Sequence, residues 1–297
     1  MSATVAAAAE ASDIGIPGAV LAGDEVSRRR GRGIGLWIGA TIVGVVVAAT
    51  VIVNVFGIGH PDQLNLLDTL AGPSAAHPFG TDSQGRDVFL RTIYAGWLDM
   101  QVGLVTTLVP MAIGMVVGLV AGFFGGWLDS VLMRIVDAVL AFPFVVLIIA
   151  FVTIFGVGLT GVYVGLIVGS FPAFARLTRG EMLVLREQQF MMAARTLGYS
   201  NRRIIFKHAL PHLVRPNLVY APSNMLGNIL AVAALSYLGL GAQPPTPEWG
   251  AIISEGQSYL LSSWWISTLP GLFVVIVGVG FSLIGDGLAE RLRNRTG

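Results

Sequence analysis

The sequence predicts an all-α integral membrane protein with six transmembrane helices and both termini in the cytoplasm. Three observations carry this reading. Of the 297 residues, 54% are hydrophobic and only 12% charged, with a mean hydropathy of +0.75. A soluble domain of that size could not hide so much apolar surface in one core. Apolar runs recur at 34–56, 99–124, 135–155, 159–175, 217–240 and 266–288, each near the ~20 residues that cross a bilayer. Finally, most basic residues fall in three clusters that share one side only if there are six crossings. Arg28, Arg29, Arg30 and Arg32 precede the first run, and Arg291, Arg293 and Arg295 follow the last. The stretch 176–215 carries Arg176, Arg179, Arg186, Arg195, Arg202, Arg203, Lys207 and Arg215 against only Glu181 and Glu187. The positive-inside rule puts that side in the cytoplasm.

Residues 1–33 are small, polar and irregular, and read as a disordered cytoplasmic tail. The run 34–56 is long enough to be an uncleaved anchor rather than a secretory signal. Segment 57–98 is extracytoplasmic and holds a short helix: Gly80-Thr81-Asp82 suggests a turn and a helix start, and Asp87 and Arg91 stand at i,i+4. Residues 99–288 form the membrane core, interrupted by a cytoplasmic loop at 180–214. The outer loop 241–264 contains Gln243-Pro244-Pro245-Thr246-Pro247, which must be extended or turn-like. Residues 289–297 form a second cytoplasmic tail.

Several chemistries are excluded. The chain has no cysteine, so thiolate metal sites and thiol nucleophiles are absent. Lys207 is its only lysine and follows Ile-Ile-Phe, so no phosphate-cradling P-loop exists. His208 and His212 lack a third ligand, and no nucleophile elbow or dinucleotide fingerprint is present. The chain is not expected to be an enzyme, to hold a cofactor or to bind nucleic acid.

Within the spans, Gly114, Gly118, Gly122 and Gly126 recur every fourth residue and offer a smooth face for close helix packing. Asp137, near Arg134, and Asp286 fall at span ends, where structural pairing is favoured over proton relay. Pro143 and Pro172 should break their helices locally. Ser223, Asn224, Asn228 and Ser236 give the fifth span a polar face, suited equally to lining a translocation path or to hydrogen bonding between helices.

The most informative segment is 186–216, a basic interruption between apolar runs. Glu187 to Thr196 is helix-competent over about ten residues, ~15 Å, a stiff lever. Gly198 can take a left-handed cap, Ser200 or Asn201 can cap a second helix, and Leu210-Pro211 should stop it at the membrane. Ala193 and Ala194 keep the first helix thin enough to enter a groove on another protein, with Phe190 and Met191 as anchors.

This segment resembles the coupling loop of membrane subunits of ATP-binding-cassette importers, whose pattern is Glu-Ala-Ala, three residues, Gly, and then Leu-Pro with its Pro thirteen residues after that Gly. Ala193, Ala194, Gly198, Leu210 and Pro211 match in register, and Met192 stands at the usual acidic position. Residues 77–88 (HPFGTDSQGRDV), 235–250 (LSYLGLGAQPPTPEWG) and 284–288 (IGDGL) are similar to segments of the dipeptide/oligopeptide/nickel subfamily, in its second-permease (dipeptide-permease-C-like) form. The likeness covers about 36–293. It implies a type I importer permease fold and an ATPase-coupling role for Phe190, Met191, Met192, Ala193, Ala194, Arg195, Gly198, Ser200, Leu210 and Pro211. It also implies a closely related second permease, two ATPase subunits that carry ATP and Mg²⁺, an extracytoplasmic binding protein, and surrounding lipid. Short peptides, including glutathione-like ones, are the expected cargo, with nickel chelates or haem as alternatives. An ion-coupled secondary transporter is the rival class, but it would need ionisable residues deep in the spans and repeated halves.

Overall fold

The computed structural model describes residues 21–293, with side chains from 34 to 292. The described residues form α1 (Leu21–Phe56), α2 (Val88–Phe124), α3 (Gly126–Leu140), α4 (Phe144–Phe155), α5 (Leu159–Leu185), α6 (Gln189–Thr196), α7 (Asn201–Arg203), α8 (Leu210–Tyr237), α9 (Trp249–Glu255) and α10 (Trp265–Arg293). Helical backbone thus starts at Leu21 rather than 34. The rest of the N-terminal tail, residues 1–20, and residues 294–297 lie outside the described residues. Helices α1, α2, α5, α8 and α10 each carry a segment long and apolar enough to cross a membrane.

The third predicted run is not one straight helix. It divides into α3 and α4, bent by 86° at a short break. Pro143 explains the break: with φ −57° and ψ 131° it caps α4, and it lacks the N–H that a continuing helix would need. At 12 residues, or about 18 Å, α4 is shorter than the ~30 Å hydrocarbon core. The count is therefore five crossings, or six if the bent pair acts as one. Pro172, by contrast, sits inside an unbroken α5.

Two glycine faces set the packing. A Cβ on Gly114, Gly118 or Gly122 of α2 would meet Phe171, Ala175 or Arg179 backbone, or the Thr178 and Met182 side chains, of α5. These glycines therefore let α2 and α5 touch backbone to backbone. Gly126 is not part of that face. It follows Gly125, both have positive φ (66° and 62°), and together they turn the chain from α2 into α3. A second face, not singled out from sequence, runs along α5: Gly161, Gly165 and Gly169 abut Val152, Ile148 and Phe144 of α4. Buried polar pairs reinforce these contacts. Ser170 Oγ donates to Asn228 Oδ1 at 3.2 Å, and Asn228 Nδ2 donates to the Thr106 carbonyl at 2.8 Å. Asn217 Nδ2 donates to Thr178 Oγ1 at 2.9 Å.

At the opposite end from α6, the 57–87 segment is ordered around Asp82. Its Oδ1 accepts the Gln84 and Arg86 N–H groups at 2.8 and 3.0 Å, and Oδ2 accepts Arg86 Nε and Arg91 Nη1 at 2.6 and 2.9 Å. Both guanidiniums also reach Glu255 on α9 at 2.7 Å. The expected Asp87–Arg91 pair is not formed. No separate short helix forms either: α2 starts at Val88 and runs on into the span. Asp87 lies outside the helix as its N-cap, accepting Leu90 N–H at 2.8 Å and contacting His77 Nδ1 at 2.7 Å. Asp137 pairs with Arg176 at 2.6 Å rather than with Arg134.

Gly118→Ala should lower the thermal midpoint by the equivalent of about 1–3 kcal/mol, because its methyl would enter α5 backbone. Gly227→Ala, whose Cβ would meet nothing within 4 Å, should leave it level or raise it. Asp82→Ala should cost about 3–5 kcal/mol, since it leaves two nearly buried guanidiniums on one carboxylate. Unfolding in detergent monitored by circular dichroism would check all three.

Candidate functional site

The polar hairpin between α5 and α8 is built from the sequence in a definite order. α5 ends at Leu185, and three residues later Gln188, in extended conformation, starts the eight-residue α6, about 12 Å long. Gly198 ends α6 at φ 73°. The Gly198 N–H donates to the Arg195 carbonyl at 2.9 Å and the Tyr199 N–H to the Ala194 carbonyl at 3.1 Å, the two bonds of a Schellman cap. Ser200 then caps the next turn, its Oγ accepting the Arg203 N–H at 3.4 Å.

Leu210-Pro211 does not stop a helix here. α7 continues through a π-helical turn, Ile204–Ala209, directly into α8, and Leu210 N–H bonds to the Ile205 carbonyl. Pro211, which has no N–H to give, stands directly after this wider turn, in the first turn of α8.

One face of α6 is sealed onto the bundle. Met191 is fully buried and Ala194 is 4% exposed, packed in a cluster with Leu119 and Phe123 of α2, Met182 and Leu185 of α5, and Ile204, Ala209 and Leu213. Ring contacts add to this. Phe190 stacks on His212 (5.4 Å between centroids), Tyr199 on His208 (6.0 Å), and Arg195 and Arg203 lie over Phe123 and Tyr199 at 5.4 and 4.0 Å. The two histidines are thus aromatic partners, and no group of three metal-ligating side chains exists among the described residues.

The opposite face is open. Ala193 and Gly198 are exposed, as are Phe190 (41%), Met192 (48%), Leu197 (70%) and Phe206 (68%). Met191 therefore cannot serve as the anchor that the sequence suggested. Leu197 and Phe206 are the most exposed large apolar side chains of the hairpin, and the sequence reading missed them. Their signal was available: large apolar side chains on either side of the Gly198 turn, in an otherwise polar hairpin.

The four polar residues of the fifth predicted span do not converge on one surface. Asn228 is 1% exposed and joins α8 to α2 and α5, and it also donates to Asn224 Oδ1 at 3.2 Å. Ser236 Oγ accepts the Ala242 N–H at 3.1 Å. Asn224 is half-buried, and Ser223 alone of the four lines a cavity of about 810 Å³ that runs from Phe190 and His212 past Arg215 to Asp286.

Residues 114–297 match the family model described as binding-protein-dependent transport system inner membrane component. The dipeptide transport system permease protein DppC of Alkalihalophilus pseudofirmus is 40% identical over 230 residues, 77% of this chain and 76% of that protein. The glutathione transport system permease protein GsiD of Shigella flexneri is 43% identical over 221 residues, 74% and 73%. Its Salmonella paratyphi A namesake is 41% identical over 258 residues, 85% of each. Two inward-facing structures of the MetNI methionine ABC transporter share the fold, with TM-scores of 0.54 and 0.55 at 21% identity. They cover 66% and 69% of this chain and 93% and 96% of theirs. The chain belongs to the family of binding-protein-dependent transport system inner membrane components, multi-pass permease subunits of ABC transporters.

Proposed function

We propose that this chain is one membrane half of an ATP-driven importer for short peptides of the dipeptide and glutathione type, delivered by an extracytoplasmic binding protein. A closely related permease supplies the other half. Two ATPase subunits, which carry ATP and Mg²⁺, dock on the α6 hairpin from the cytoplasm. The observation that carries this reading is the two-sided hairpin, sealed to the ends of α2 and α5 on one face and presenting Ala193, Leu197 and Phe206 on the other. A lever must be fixed at one end and gripped at the other; only then can ATP binding bias two states of the pathway. The cargo assignment rests on the names of the relatives, which speak of dipeptides and glutathione. Ser223, beside the cavity that opens next to the hairpin, is the translocation-path candidate favoured among the four.

Purification of the chain from its native membrane should bring ATPase subunits with it, and their turnover should rise when the binding protein is added with peptide. Absence of ATPase subunits from the intact complex would overturn the reading. Leu197→Asp and Phe206→Asp should abolish co-purification with little change in the chain's own thermal midpoint, because both side chains are exposed. Met191→Ala should do the reverse, costing about 2–5 kcal/mol of hairpin stability. Gly198→Val strains a left-handed position by about 1–3 kcal/mol. It should weaken docking by about tenfold or more while leaving membrane insertion intact, and peptide uptake at the wild-type rate would contradict the role given to this hairpin.

A further inference from the structure

Two carboxyl groups at the Asp82 end of the bundle meet without a cation between them. Asp99 lies three turns into α2, and Glu248 is the N-cap of α9. Neither has exposed surface. The two are within hydrogen-bonding reach of each other. Asp99 Oδ2 accepts the Trp249 N–H at 3.2 Å and Glu248 Oε2 the Ala251 N–H at 2.8 Å. Asp99 Oδ1 and Glu248 Oε1 are buried and receive a hydrogen bond from no donor.

The surroundings offer no compensating charge. α5 contributes the half-buried Tyr163, α8 the Ser236 hydroxyl, and α10 the apolar ring of Phe273 against Trp249. Arg91 is the nearest cation along α2. It lies eight residues away, about 12 Å up the axis, and is held by Asp82 and Glu255. Two ionised carboxylates are acceptors only, so facing each other in this seat they would repel and leave both orphan oxygens unsatisfied. A single proton resolves both problems, because it turns one carboxyl into a donor for the other.

We infer that Asp99 and Glu248 share one proton, and that this proton latches α9 onto α2. The inference is independent of the transported cargo and of the docking role of α6. α9 is a junction: the Trp249 indole donates to the Thr92 carbonyl at 2.9 Å, Gly250 lies against the Ala233 backbone of α8, and Glu255 holds both arginines of the Asp82 cluster. Loss of the proton places like charges under one end of that junction and loosens the whole 241–264 segment.

The sign of the pH dependence follows. Burial pushes the Glu248 carboxyl above its ordinary range. The folded pair keeps a proton that the unfolded chain releases near pH ~4. The folded state then binds more protons, so stability is full below that range and falls as pH rises until the folded pair itself ionises.

The test uses the full chain in lipid nanodiscs, in the complex with which it is purified. Infrared spectra at neutral pH should show the carbonyl stretch of a protonated carboxylic acid. It should vanish in Asp99→Asn and in Glu248→Gln, whose amides donate the missing hydrogen bond to the remaining carboxylate. The thermal midpoint of the wild type should fall from about pH 5 to about pH 8, the range above ordinary carboxylate titration, and Asp99→Asn should lose that fall. A wild-type spectrum without the protonated band, or a band that survives in both variants, overturns the inference. The wild-type measurement decides even where a variant fails to fold.

Discussion

The seat of Met191 among Leu119, Phe123, Met182 and Leu185 turns what reads as a polar loop into a fixed projection of the membrane bundle. A loop tethered only at its ends would absorb a push by bending. An eight-residue helix closed by a Schellman cap, buried along one face and braced by stacked rings on either side, would pass a push to whatever it is packed against. Here that is the end of α2 and the end of α5 together. Burial of one medium-sized apolar side chain contributes only about 1.5–3 kcal/mol, but it fixes which helix ends the hairpin leans on.

Those two helices are themselves the most intimately joined pair in the bundle. Gly114, Gly118 and Gly122 bring their backbones into contact. The polar bonds of Asn217 to Thr178, and of Asn228 to Ser170 and Thr106, then tie α8 to the same pair. Such bonds are individually modest inside membranes, of order 0.6 kcal/mol on average. Their effect here is to set register rather than to supply stability. The Asp82 cluster does the equivalent task at the far end of α2, where it gathers the 57–87 segment and α9 around two arginines.

Much of this was legible in the sequence, because the bilayer leaves helices few choices. The apolar runs located five long helices, and the Ala193-Ala194, Gly198 and Ser200 signals located the hairpin, its cap and the start of the next turn. What was not legible depended on which face of a helix meets which neighbour. Met191 and Leu197 are both large and apolar, and only the position of Phe123 and Met182 in space makes the first a core residue and the second a free one. Asp87 and Arg91 have ideal helical spacing, but the helix starts one residue too late for the pairing to hold. Pro143 and Pro172 look alike in sequence. Only the first breaks its helix, and does so where the chain turns through 86°. Leu210-Pro211 reads as a stop, yet a preceding π-turn makes it the start of α8.

The proposed coupling requires the hairpin and α2 to move as one body. Spin labels at Arg202, an exposed hairpin position apart from the docking residues, and at Phe89, near the far end of α2, bracket that body along a helix about 55 Å long. Their distance distribution, measured by pulsed electron paramagnetic resonance in the assembled complex with and without nucleotide, should be unchanged. A nucleotide-dependent shift or broadening within this single chain would show that the hairpin hinges on the bundle, and would contradict the account.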